Sequence, residues 1–163
     1  MDIIHSKTNQ NDMKLNPEDA PKNYLYCFAT DEQCPQCKEC LRSRVAKFPL
    51  KLRKSAKPVT FTVDPRYIAS LQGKSACTLF RSAAPKLFAR GMSRLYDEVP
   101  GKLTNELRWR VQNCFSCRSF YFSSRKGDRL ISPDEQQKIA AVFQQLCPNI
   151  QPVYDSFEEA FEW

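Results

Sequence analysis

A chain of 163 residues, 42% of them hydrophobic, is long enough for one real core and short for two. It holds 25 Lys and Arg against 18 Asp and Glu, net +7, and no run of 18 apolar residues, which excludes a membrane-spanning helix. One histidine, His5, four glycines, no Walker A loop and no GxGxxG leave imidazole dyads, imidazole-ligated zinc enzymes and phosphate-cradling loops without material, so a non-enzyme is the favoured expectation.

Residues 1–23 are polar and without apolar period, and read as a loosely attached arm ahead of a single domain over 24–163. The first twenty residues lack the apolar segment of a secretory signal, so the expected compartment is the cytoplasm. Thiols stay reduced there, and the eight cysteines read as ligands, core residues or a redox pair rather than as a disulfide framework.

Half of those cysteines fall in one block, CFATDEQCPQCKEC. Cys34, Cys37 and Cys40 follow a CxxCxxC spacing that brings sulfurs toward a common point, and Cys27 can close a tetrahedral set. Zinc is the expected ion, and an iron–sulfur cluster accepts the same four thiolates. Lys38, Arg42 and Arg44 are expected to favour thiolate over thiol. The bland alternative needs no cofactor: the three sulfurs line a helix face running into Leu41 and Val45. Cys77, which no helical stripe absorbs, stands in reserve as a ligand. Cys114 extends the stripe Leu103, Leu107, Val111, and Cys147 ends the stripe Ile139, Val142, Phe143, Leu146, so packing accounts for both. Cys114 with Cys117 makes a second Cys-x2-Cys that ranks below the first.

Seven Lys or Arg occur without an acid from Arg42 to Lys57, a run read as a solvated face. Val59 to Val63 alternates as a half-buried strand and ends at Asp64-Pro65. Leu87, Phe88, Met92, Leu95 and Tyr96 recur at helical spacing, and a second helix is expected from Lys102 to about Asn113. Phe120–Phe122, the polar turn 123–128 and Leu130-Ile131 read as a β-hairpin with a basic tip. Ser132-Pro133-Asp134-Glu135 is a capping box opening a helix to about Cys147, and YDSFEEAFEW suits a short final helix.

The class is therefore α+β, mostly helical with a short antiparallel sheet, and the element order is that of a winged helix. Charge is segregated, at −3 over residues 1–33, +15 over 34–130 and −5 over 131–163. A basic middle of this density points to DNA or RNA, or to an acidic protein partner, with no membrane. Arg108, Arg125, Lys126 and Arg129 are the expected phosphate contacts, with Asn105 and Gln112 as base readers. The alternative is that the acidic ends fold back and neutralise the middle internally.

The segments GMSRLYDEVP, FYFSSRKGDRLISPDEQQKIAAVF and PVYDSFEEAFEW, with the CP-x-C-x-x-C-LR run, resemble a family of small bacterial proteins known only as a domain of unknown function. The resemblance implies no activity and carries over no functional residue. Three functions follow: a zinc-stabilised module contacting nucleic acid or an acidic partner, an iron–sulfur or thiol redox protein on the same cysteines, and a metal-free interaction module.

Overall fold

Where the second half of the chain alternates between strong helix signals and short apolar stretches, the helices close around a small sheet. The computed structural model describes residues 15–48, 61–71 and 77–163. The chain divides into two compact units, one reaching to Ala84 and including Trp163, the other spanning Pro85 to Glu162. Helices and an antiparallel sheet together make the class α+β, as expected. Among the described residues no helix is long and apolar enough to cross a membrane.

The second unit is built on strand β1 (Lys86–Arg90), which lies between β2 (Leu130–Ile131) and β3 (Ser156–Ala160), antiparallel to both. Registers pair Ala89 with Ile131 on one side and with Phe157 on the other. Helices α3 (Gly101–Gln112), α4 (Arg118–Lys126) and α5 (Pro133–Leu146) supply the rest, and Leu107, Val111, Tyr121, Ile139 and Phe143 bury into one core with Ala89 and Ile131. The N-terminus of α5 forms as its sequence dictates. Ser132 Oγ accepts the Glu135 N–H at 3.2 Å, and the Glu135 carboxylate accepts the Ser132 N–H at 3.0 Å. That carboxylate also takes both guanidinium nitrogens of Arg129, at 2.9 and 3.0 Å, so a buried charge is fully paired.

Three local expectations are corrected. The helix expected across Leu87–Tyr96 is β1 followed by a turn, because Gly91 at φ +73° interrupts the spacing and β1 finds partners on both edges. Leu87, placed on the buried stripe by helical spacing, is 55% exposed. The hairpin expected from Phe120 is instead α4, with Tyr121 and Ser124 buried at i, i+3 and Gly127, in the left-handed region at φ +85°, ending it. Without the first strand of that hairpin the winged-helix order does not arise. The final helix is β3, held by Glu158 to Arg90 at 2.9 Å and by Glu162 to Lys86 at 2.6 Å.

The first unit contains α1 (Leu41–Ala46) and α2 (Pro65–Ser70), the latter capped by Asp64 accepting from the Arg66 N–H at 2.8 Å. Leu15 and Pro17, within the segment read as an arm, are buried, and Pro17–Asp19 makes a 3-10 turn. Thr62 bridges to Tyr26 in parallel. Val59 and Thr60, the turn at Gly73, and the basic run beyond Phe48 lie outside the described residues.

Gly91 supports the most direct stability test. The turn it starts is seated on Asp155, whose carboxylate accepts from Ser93 N–H at 3.1 Å and Ser93 Oγ–H at 2.6 Å, and a Cβ at Gly91 collides with that carboxylate. Gly91→Ala is expected to cost at least about 1–2 kcal/mol from the left-handed backbone alone. Adding Asp155→Ala should be less than additive in thermal unfolding, since the collision is then gone.

Candidate metal centre

From Thr30 to Cys40 the chain runs as linked turns. Cys34 N–H reaches Thr30 O at 3.0 Å, Cys37 N–H reaches Cys34 O at 3.1 Å, and Cys40 N–H reaches Cys37 O at 3.3 Å. Three-residue turns superimpose every third side chain, so Cys34, Cys37 and Cys40 all bury, at 7%, 2% and 6% exposure. Cys40 is the N-cap of α1 but makes no side-chain cap bond.

Arg42, two residues on, gathers the other segments. Its Nε donates to Leu79 O and its guanidinium nitrogen to Leu25 O, each at 2.9 Å, while its own carbonyl accepts the Cys27 N–H at 3.3 Å. Backbone bonds from Leu41 N–H to Arg81 O (2.7 Å) and from Ala83 N–H to Glu39 O (2.8 Å) fasten the segment after Cys77 alongside. The result is a cavity of about 20 Å³ lined by Cys27, Cys34, Cys37, Cys40 and Cys77, with Val63, Ile68 and Leu71 in its apolar wall. All five metal candidates of the sequence are thus brought to one place. Each is a free thiol. Among the described residues no three His, Cys, Asp or Glu side chains are drawn together as a ready-made metal site, so the sulfurs surround the space without converging to one point.

Burial raises the Cys27 thiol, opposed by the Ala29 backbone N–H, and the charges of Cys40, Cys34 and Cys77 push it the same way as burial. Cys37 is also raised, first by burial and then by its bond to Asp31, with Lys47 opposing. Its Sγ donates to Asp31 Oδ1 at 2.8 Å, and Lys47 Nζ lies 3.6 Å away. The expectation that basic neighbours favour thiolate therefore fails for these two thiols. Arg42 is occupied by carbonyls, and Lys38 is paired with Asp31 at 3.1 Å.

Ser43, Asp31 and Gln36 are parts of the site that the cysteine pattern did not single out. Ser43 lines the cavity at 1% exposure, and its hydroxyl has no partner among the described residues. Gln36 Oε1 accepts the Cys77 N–H at 3.2 Å. Polar side chains inside the block, at Asp31 and Gln36, and just after it, at Ser43, were the available signal. Cys114 and Cys147 pack with the core of the second unit, and Cys117 is exposed at the start of α4.

The residues expected to meet nucleic acid are only partly gathered. Asn105 and Arg108 are exposed on α3 beside a 65% exposed Trp109, while Gln112 is half-buried. Burial raises the Tyr96 hydroxyl, as does its bond to Tyr121, and Arg108 and Arg125 both oppose this, so these two cations bear on one ring. Arg125 and Lys126 sit in the last turn of α4, where cations complement the helix dipole, rather than on a hairpin tip. Arg129 is committed to Glu135 and Ser124.

A family of unknown function, DUF6078, matches residues 8–163. The chain belongs to that family. No curated protein and no solved structure matches it. The family carries no assigned chemistry, so the chemistry of the site rests on its own residues.

Arg42 is the first residue to test. Arg42→Lys keeps the charge but cannot span both carbonyls, and is expected to lower stability by roughly 1.5–3 kcal/mol, the scale of one charged hydrogen bond. Native-state labelling with a thiol reagent should then accelerate at Cys27, Cys40 and Cys77 together.

Proposed function

We propose that the thiol-lined cavity holds one zinc ion in a structural role, making the family member a zinc-stabilised module. The observation that carries this is the meeting of five buried or half-buried cysteines from three chain segments around one small space. Cys34 and Cys37 also pack in the apolar cluster beside the cavity, but five sulfurs around one space are enough for a complete ligand set, and thiolates are the ligands zinc selects. Coordination deprotonates a thiol outright, so a raised thiol such as Cys27 makes binding strengthen with pH rather than preventing it.

A single ion is favoured over a cluster because cysteine thiolates alone complete a zinc site, whereas an iron–sulfur cluster also needs several iron and sulfide atoms. The orphaned Ser43 hydroxyl supports the same assignment, since a metal thiolate in that space gives it an acceptor. A structural role is favoured over a catalytic one because the candidate ligands are all sulfur, the wall is largely apolar, and no imidazole or carboxylate lines the cavity among the described residues.

Protein purified without oxygen is expected to carry one zinc per chain and to be colourless. Cobalt replacement should give the visible bands of a tetrahedral thiolate site, and chelation should lower the unfolding temperature. Iron with visible charge-transfer absorption would replace this reading by a cluster. Metal-free protein whose stability ignores both zinc and chelator would remove it.

A further inference from the structure

Resting on that zinc site, we infer that its ligands are Cys27, Cys34, Cys40 and Cys77, and that Cys37 stays outside the coordination sphere although its spacing suggests a ligand. The geometry around Arg42 gives the first reason. The clamp touches Leu25, two residues before Cys27; it is itself two residues after Cys40; and it touches Leu79, two residues after Cys77. Each of these cysteines is therefore held by a nearby backbone anchor to one guanidinium. Cys34 enters from the turn that leads to Cys40, completing four.

Cys37 is committed elsewhere. Its sulfur donates to Asp31 Oδ1 at 2.8 Å, and Asp31 is itself tied to Lys38 at 3.1 Å and Lys47 at 3.7 Å. The contact sets the Cys37 sulfur against a carboxylate anchored by two lysines, a neighbour that no contact gives to Cys27, Cys34, Cys40 or Cys77 among the described residues. Making Cys37 a ligand would set a thiolate against the Asp31 carboxylate, two like charges in contact, and would add to a tetrathiolate site that is already net negative. Asp31 thus sets Cys37 apart from the other four sulfurs.

Cys77 has the surroundings of a ligand. Gln36 fixes its backbone N–H, and the Tyr67 hydroxyl lies 3.7 Å from its sulfur while also bonded to Thr78 Oγ1 at 2.7 Å. The Tyr67 hydroxyl is placed beside the Cys77 sulfur, and the Ser43 hydroxyl, without a partner among the described residues, lines the same cavity as a second donor. The ion then links Cys40 to Cys77, 37 positions apart in the sequence, and fastens the segment after Cys77 to α1, instead of stitching only the local block.

The test compares zinc content and the cobalt-thiolate spectrum of the full chain with those of Cys37→Ser and Cys77→Ser. Cys37→Ser is expected to keep one zinc and an unchanged thiolate charge-transfer intensity. Cys77→Ser should bind zinc at least about tenfold more weakly against a competing chelator, the scale on which perturbing a site's supporting shell already acts. Loss of zinc from Cys37→Ser, or a full four-thiolate spectrum in Cys77→Ser, overturns the assignment. Wild-type protein without zinc overturns the parent reading instead. If Cys77→Ser fails to fold, wild-type protein is alkylated during stepwise zinc removal and mapped by mass spectrometry. Cys27, Cys34, Cys40 and Cys77 should become reactive together with zinc release, and Cys37 should not follow it. Cys37 tracking zinc release, or Cys77 ignoring it, overturns the assignment equally.

Discussion

The guanidinium of Arg42 is the constraint on which the first unit depends. It binds carbonyls of segments that are far apart in sequence, at Leu25 and Leu79, from a position just inside α1. A planar fork with several fixed donors can do this, and a lysine cannot. Because each anchor lies two residues from a cysteine, satisfying the backbone and assembling the thiols are the same event. The short helix α1 needs this help. Six residues are too few to be stable alone, and its N-cap sulfur contributes no capping bond.

Charge asymmetry finds its outlet inside the second unit. The acidic C-terminal segment returns as β3 and sets Glu158 against Arg90 and Glu162 against Lys86, while Glu135 takes Arg129. The exposed pairs contribute little each, since solvent screens them. Their effect is on register: β3 has no buried side chain to fix its alignment, and the diagonal pairs Arg90–Glu158 and Lys86–Glu162, each two residues off the directly opposed position, favour this alignment over a one-residue slip. A basic middle and acidic ends, which could have signalled an external anion, are in this part explained by internal pairing.

Elements whose signals are local were legible from sequence, and those decided by distant partners were not. Helix α5 was readable because Ser132, Pro133 and Glu135 carry the capping chemistry within one turn. Helix α3 followed from Leu107 and Val111 on one face after a Pro-Gly break. Strand β1 was misread because Phe88, Met92 and Leu95 do bury, yet they do so across a turn at Gly91 rather than along one helix face. For α4, three consecutive aromatics weighed toward a strand, while Gly127, the residue that ends the helix, was taken as part of a turn. In both cases a glycine with positive φ was the decisive and underweighted letter.

The thiol site was legible as a set and illegible as a division of labour. Spacing collects Cys34, Cys37 and Cys40 because a repeat of three is a local property, but whether a sulfur points to an ion or to a carboxylate is set by Asp31, six residues before Cys37. The same sulfurs serve packing as well: Cys34 and Cys37 bury with Ala29, Val63, Ile68 and Leu71 in one apolar cluster, with Cys27 and Cys77 packed against it. Spacing alone cannot separate these two uses of a thiol, because both bury the sulfur and only its polar neighbours, such as Asp31 beside Cys37, tell them apart.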